Sequence, residues 1–178
     1  MPNTEFEMTL AEAEKGKAGA QRSLGRMYFN GIGVDKDQAK ALAWCEKAAM
    51  QGDVEAQCFV GKMYYSGKGT EQNFEKAFAW IMKAAMQGDV AAQNDIGVMY
   101  LRAEGTPKDF KKAFEWFEKS ATHGNKNAQF HLGMLYVKGD GTERNLPKAA
   151  FWVEKASNAD VLGAQDFWEK HELWKFRK

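Results

Sequence analysis

Five Ala-Gln pairs occur at one unbroken interval along this chain: Ala20-Gln21, Ala56-Gln57, Ala92-Gln93, Ala128-Gln129 and Ala164-Gln165. Other columns keep the same step: Gly25, Gly61, Gly97 and Gly133; Tyr28, Tyr64, Tyr100 and Tyr136; Trp44, Trp80, Trp116 and Trp152. A period of 36 residues, held without slip through 178, restricts the fold to a stack of like units. Each unit is too small to bury its apolar face alone, so it buries that face against its neighbours. Stacks of this kind present long surfaces and seldom a deep reactive pocket.

The periodicity inside one unit is helical. Ala56, Val60, Met63 and Tyr64 recur at three- and four-residue steps, one apolar stripe of a first helix. Asp53, Asp89 and Asn125 precede such stripes as N-caps. Gly61 and its equivalents sit inside the helix, where glycine costs about 1 kcal/mol against alanine. Close approach of a neighbouring helix offsets that cost.

Gly31/Gly33, Gly67/Gly69 and Gly139/Gly141 mark the turn that ends the first helix. The third unit has Ala103-Glu104-Gly105 there, which predicts a different turn. Asp37, Asn73, Asp109 and Asn145 then cap a second helix. Its small–large–small faces, such as Ala77, Trp80 and Ala84, predict an indole wedged between adjacent units. Gly52, Gly88 and Gly124 end it, and Asp160 takes that place in the last unit.

The predicted fold is therefore all-α, one solenoid of antiparallel helix pairs over residues 1–178. A lone second-type helix covers residues 4–15, followed by repeats at 17–52, 53–88, 89–124 and 125–160. A C-terminal capping helix over 161–178 completes it, and its columns diverge: Trp168 for Leu, Glu169 for Gly, Glu172 for Tyr.

Charge and motifs narrow the function. Twenty-five basic and 24 acidic residues leave a net charge of +1, which argues against nucleic acid as the main partner. No run approaches the roughly 18 apolar residues that span a bilayer. Met1 to Leu10 has no signal-peptide character, so a cytoplasmic location is expected. Reduced thiols at Cys45 and Cys58 are expected with it. No nucleophile elbow, phosphate loop, His-Glu-x-x-His or paired-cysteine metal spacing occurs. No catalytic, cofactor-binding or metal-binding residue is predicted.

Read as one consensus, the first copy is Ala-Gln-x-x-Leu-Gly-x-x-Tyr-x-x-Gly-x-Gly-Val followed by Lys-Ala-x-x-Trp-x-x-Lys-Ala-Ala-x-Gln-Gly-Asp. This resembles the Sel-one-like repeat family, related to tetratricopeptide repeats and common in bacteria, over nearly the whole chain. The resemblance implies a right-handed α/α superhelix whose first helices line the concave face. It also implies a non-enzymatic scaffold or adaptor that binds a partner protein or peptide. A secreted, cysteine-rich branch of the family would carry cysteines at the columns of Ala49 and Gln57, which this chain does not.

With the 20/24/27/28 face buried, a helical wheel turns another column outward. It reads Arg22, Arg26 and Phe29; Cys58, Lys62 and Tyr65; Asn94, Val98 and Leu101; Phe130, Met134 and Val137. Such a surface runs from basic to apolar and suits a peptide or an amphipathic helix. The alternative is that Phe29, Tyr65, Leu101 and Val137 pack beneath the glycine turns. C-terminal residues or a second copy of the chain are alternative covers for Phe130, Met134 and Val98, so self-association through this C-terminal groove is one expectation. His131 and Asp95 share a column in neighbouring first helices, close enough for a pH-sensitive pair. His123 and His171 read as surface residues. Competing functions are an immunity or neutralising partner of a toxin or effector, an amide hydrolase, and a cell-wall-binding protein.

Overall fold

Residues 4–177 are described in a computed structural model of the chain. Among them all regular structure is helical, and it divides into two compact units, up to Gln87 and from Gly88 on. The first unit holds α1 (Thr4–Glu14), α2 (Ala18–Asn30), α3 (Gln38–Met50), α4 (Val54–Ser66) and α5 (Phe74–Met86). The second holds α6 (Val90–Arg102), α7 (Phe110–Thr122), α8 (Lys126–Lys138), α9 (Leu146–Asn158), α10 (Ala164–Lys170) and a 3-10 turn (Leu173–Phe176). The helices pack in sequence order: α2 on α3 and α4 on α5 in one unit, α6 on α7 and α8 on α9 in the other.

Capping sets the boundaries. The side chains of Asp37, Asp53, Asn73, Asp89, Asp109, Asn125 and Asn145 each accept a hydrogen bond from the backbone N–H three residues on. Each cap is worth about 1 kcal/mol. The cap residues of α3, α5, α7 and α9 also donate their own N–H to the tyrosine carbonyl nine residues earlier, as Asn73 does to Tyr64 at 2.9 Å. One residue type thus closes the turn and starts the next helix.

The third unit's turn does not differ. Ala103 adopts the left-handed conformation (φ 57°) that Gly31, Gly67 and Gly139 adopt at the same place. Its N–H bonds the Met99 carbonyl as theirs bond the equivalent carbonyls. The packed turn imposes the conformation although alanine disfavours it by about 1–2 kcal/mol.

The tryptophans are not the wedge. Trp44, Trp80, Trp116 and Trp152 are only half-buried, each beneath the lysine one turn on, with Lys47 Nζ 3.9 Å from the Trp44 ring and Lys83 Nζ 4.1 Å from that of Trp80. The next residue in every unit, Cys45, Ile81, Phe117 or Val153, is the one that is buried. A helical step of about 100° turns that residue onto the first helix, where the glycine column makes room. A methyl group on Gly97 would stand 2.6 Å from the Phe117 ring, and one on Gly61 2.5 Å from Ile81. Gly25 faces Cys45 and Gly133 faces Val153 in the same way.

The C-terminal segment is not one helix. α10 ends at Lys170, Glu172 turns left-handed (φ 51°), and the 3-10 turn brings Leu173 into the core at 0% exposure. The column residues that would continue the stripe are Glu169 and Glu172, so the apolar face stops and the chain folds back.

Candidate functional site

The two units carry the outward column of the first helices differently. In the first unit, the Arg22 guanidinium lies 3.0 Å from both carboxylate oxygens of Asp53 and 3.3 Å from Glu55. Arg26, which is exposed, is 3.6 Å from the same Glu55. Asp53 therefore caps α4 and ties α2 to it, and its charge meets that of Arg22. The basic end of the expected surface is an ion-pair cluster.

Phe29 is half-buried and meets Phe59 edge-on at 5.1 Å, with Lys36 and Lys68 over its ring. Tyr65 is half-buried against Phe74 at 5.2 Å. Both rings belong to the packing beneath the turns. Lys62 is exposed and Cys58 is half-buried.

In the second unit, Val98, Leu101 and Met134 are half-buried, while Val137 is buried at 8% exposure. Phe130 meets Phe167 of α10 edge-on at 5.5 Å, so the C-terminal segment covers part of this apolar face.

His131 takes a partner one residue away from the expected Asp95. Its Nδ1 lies 3.3 Å from the side-chain oxygen of Asn94, itself buried, and its ring stacks on Phe117 at 4.7 Å. The Asn94 amide donates onward to Asp95 at 3.4 Å. Burial, and then the nearby Arg102 charge, hold the His131 pKa below the ordinary imidazole value. A neutral ring donating from Nδ1 fits both the hydrogen bond and the stack.

Other polar groups inside the helix pairs serve the scaffold. Gln21, Gln57 and Gln129 are buried and donate to the carbonyls of Ala13, Ala49 and Ala121. Gln51 and Gln87 then donate to the side-chain oxygens of Gln21 and Gln57. His123 stands in that position in the third unit and bonds the Lys119 carbonyl at 2.8 Å. Tyr64 donates to Glu46 at 2.7 Å, and burial together with this carboxylate pushes its pKa up to about 12. Burial does the same to Cys45, whose thiol is pushed up to about 12 and is a packing group rather than a nucleophile. Among the described residues neither cysteine is in a disulfide, and no cluster of His, Cys, Asp and Glu has the geometry to hold a metal ion.

The wheel's outward column is not outward throughout, since Asn94 and Val137 are buried at 8% exposure, and the wheel did not give its contacts. The ion pair Arg22–Asp53 and the bond His131–Asn94 join residues 31 and 37 apart, which local periodicity cannot pair. The buried column at Cys45, Ile81, Phe117 and Val153 did carry a signal: it is apolar in all four copies at the same spacing.

Paired helices in tandem, sealed by a glycine column, define a helix-pair repeat protein. The Sel1 repeat profile matches residues 18–53, 54–89, 90–125 and 126–161, and the chain belongs to that family. No curated protein sequence matches the chain.

Among solved structures it is similar to c5321, a protective antigen of uropathogenic Escherichia coli strains displaying an SLR fold. That likeness has 34% identity and a TM-score of 0.86 over 91% of this chain, but the chain spans only 35% of the antigen. A Sel1 repeat protein from Oxalobacter formigenes is similar at 31% identity and a TM-score of 0.85, over 91% of this chain and 67% of that one. Cysteine rich protein B of Helicobacter pylori shares the fold at 22% identity and a TM-score of 0.57, over 74% of this chain and 95% of that one. The solenoid class and its helix-pair repeat follow from these likenesses. Sel1 repeats are typically non-catalytic scaffolds for protein–protein contact.

Proposed function

We propose that this chain is a non-enzymatic bacterial scaffold or adaptor, acting in the cytoplasm, which binds a partner protein or peptide on the outward face of its first-type helices. The observation that carries this reading is the apolar face of the second unit. Val98 and Leu101 on α6 and Met134 on α8 are half-buried side chains that the helix pairs do not finish covering. Their size and flexibility suit an apolar side chain of a guest helix or strand. Phe130, already in contact with Phe167, and the buried Val137 are the floor of this face rather than its contact points. His131 and Asn94 lie at its edge and fix α8 to α6. The first unit carries a polar face of its own, Arg22, Arg26, Lys62 and Tyr65, with the arginines balanced by Asp53 and Glu55.

Affinity capture from the source cell with the intact chain tests the reading. A stoichiometric partner is expected, and Val98→Glu plus Met134→Glu is expected to lose it while the circular dichroism spectrum stays unchanged. Both positions are half-buried, so the carboxylates reach water without unfolding the helices. Capture that survives the double substitution in a folded protein refutes this face as the binding site.

A further inference from the structure

The C-terminal end of the second unit departs from the repeat in a way that opens a polar cavity. The first helix of each repeat buries a glutamine and, three residues on, an aliphatic side chain. Gln129 and Leu132 of α8 are 8% and 0% exposed. In α10 the same columns hold Gln165 and Trp168, of which Gln165 is exposed and Trp168 only half-buried. Glu169 in the glycine column removes the flat surface on which a second-type helix would pack. Two columns that are buried elsewhere thereby reach the surface here.

They face a cavity of about 220 Å³ lined by Glu154, Ser157, Asn158, Gln165, Trp168 and Arg177. Its polar groups are already held in place. Ser157 donates to Gln165 at 2.8 Å, Gln165 donates to Glu169 at 2.8 Å, and Arg177 Nε lies 2.7 Å from Glu154. A smaller cavity of about 130 Å³ shares Glu154 and Arg177 and is walled by Pro147, Phe151 and Phe176.

We propose that this pair of cavities is a binding site for a short neutral glycan, with one hexose ring on the Trp168 indole and a second against Phe151. Three features select that chemistry. The two charged residues that line both cavities, Glu154 and Arg177, neutralise each other, so the pair offers no net attraction to phosphate or carboxylate. Amide, carboxylate and guanidinium groups retain donors and acceptors beyond these bonds, as vicinal hydroxyls require. The aromatic faces offer apolar surface to the C–H side of a sugar ring. The larger cavity has room for one ring, and Phe151, 50% exposed with Lys155 Nζ 4.5 Å from its ring centroid, lines the smaller one. So small and open a site implies millimolar affinity. This proposal is independent of the protein-binding face on α6 and α8.

Saturation-transfer NMR on the intact chain tests it, with cellobiose, N,N′-diacetylchitobiose and maltose as probes. Transfer to the ring protons of at least one sugar is expected, with a shift of the Trp168 indole N–H. Trp168→Leu restores the residue type of the column, and it is expected to abolish the transfer with the circular dichroism spectrum unchanged. Asn158→Ala, on an exposed rim residue, is expected to weaken it severalfold. If Trp168→Leu does not fold, Asn158→Ala decides: reduced transfer supports the site and unchanged transfer overturns it. No transfer to any of the three sugars, or full transfer in folded Trp168→Leu, also overturns it.

Discussion

At the scale of single residues, His131 is the group whose chemistry most depends on its surroundings. Buried against Phe117 and bonded to Asn94, with Arg102 near, it binds a proton less readily in the fold than in the unfolded chain, where its pKa is about 6.5. Its folded value is the depressed one, so its contribution to stability is complete above about pH 6.5 and falls as the pH drops below that value toward the folded one. Thermal melts between neutral and mildly acid pH are therefore expected to show a declining midpoint, and His131→Gln to flatten the decline. A slope unchanged in the variant assigns the effect elsewhere. Ala103 offers the opposite kind of test. It holds a left-handed conformation that glycine adopts freely, so Ala103→Gly is expected to stabilise by up to about 1 kcal/mol in urea denaturation. Part of the relieved strain is offset by the larger freedom of glycine in the unfolded chain.

At the scale of helices, the glycine column decides how closely a pair packs. The same substitution is expected to act with opposite sign at two helical glycines. Gly19 on α2 is exposed with open space around it, so Gly19→Ala gains helix propensity, up to about 1 kcal/mol. Gly97→Ala drives a methyl group into the Phe117 ring at 2.6 Å and is expected to cost about 1–3 kcal/mol despite that propensity. Urea titrations of the two variants give the comparison, and stabilisation by Gly97→Ala would contradict the packing described. The tryptophans show how far sequence reaches at this scale. Their spacing announced a column of large side chains, yet spacing does not say which side of a helix faces its partner. Burial fell on Cys45, Ile81, Phe117 and Val153, one step round, and left the indoles half-covered beneath lysines. The caps were legible throughout because they are local: a side chain and an N–H three residues on need no tertiary neighbour.

At the scale of the whole molecule, charge and repetition set what the chain offers a partner. A net charge of +1 gives little to release counterions from a duplex, and filter binding at physiological salt is expected to retain no DNA. Among the described residues no helix is long and apolar enough to cross a membrane. Sel1 repeats generally mediate contact between proteins. The sequence by itself determined the all-helical repeat, its 36-residue step and the caps of α3 to α9, because each is written in local residue patterns. It also pointed to a second column on the first helices, of which Asn94 and Val137 are buried. Only tertiary structure decided what that column touches: Arg22 met by Asp53, His131 held by Asn94, Phe130 covered by Phe167. It alone decided that Ala103 turns as a glycine does and that the last segment folds back at Glu172. These outcomes depend on side chains thirty or more residues apart, or on packing strong enough to overrule a local preference, and neither is encoded in the spacing of one unit.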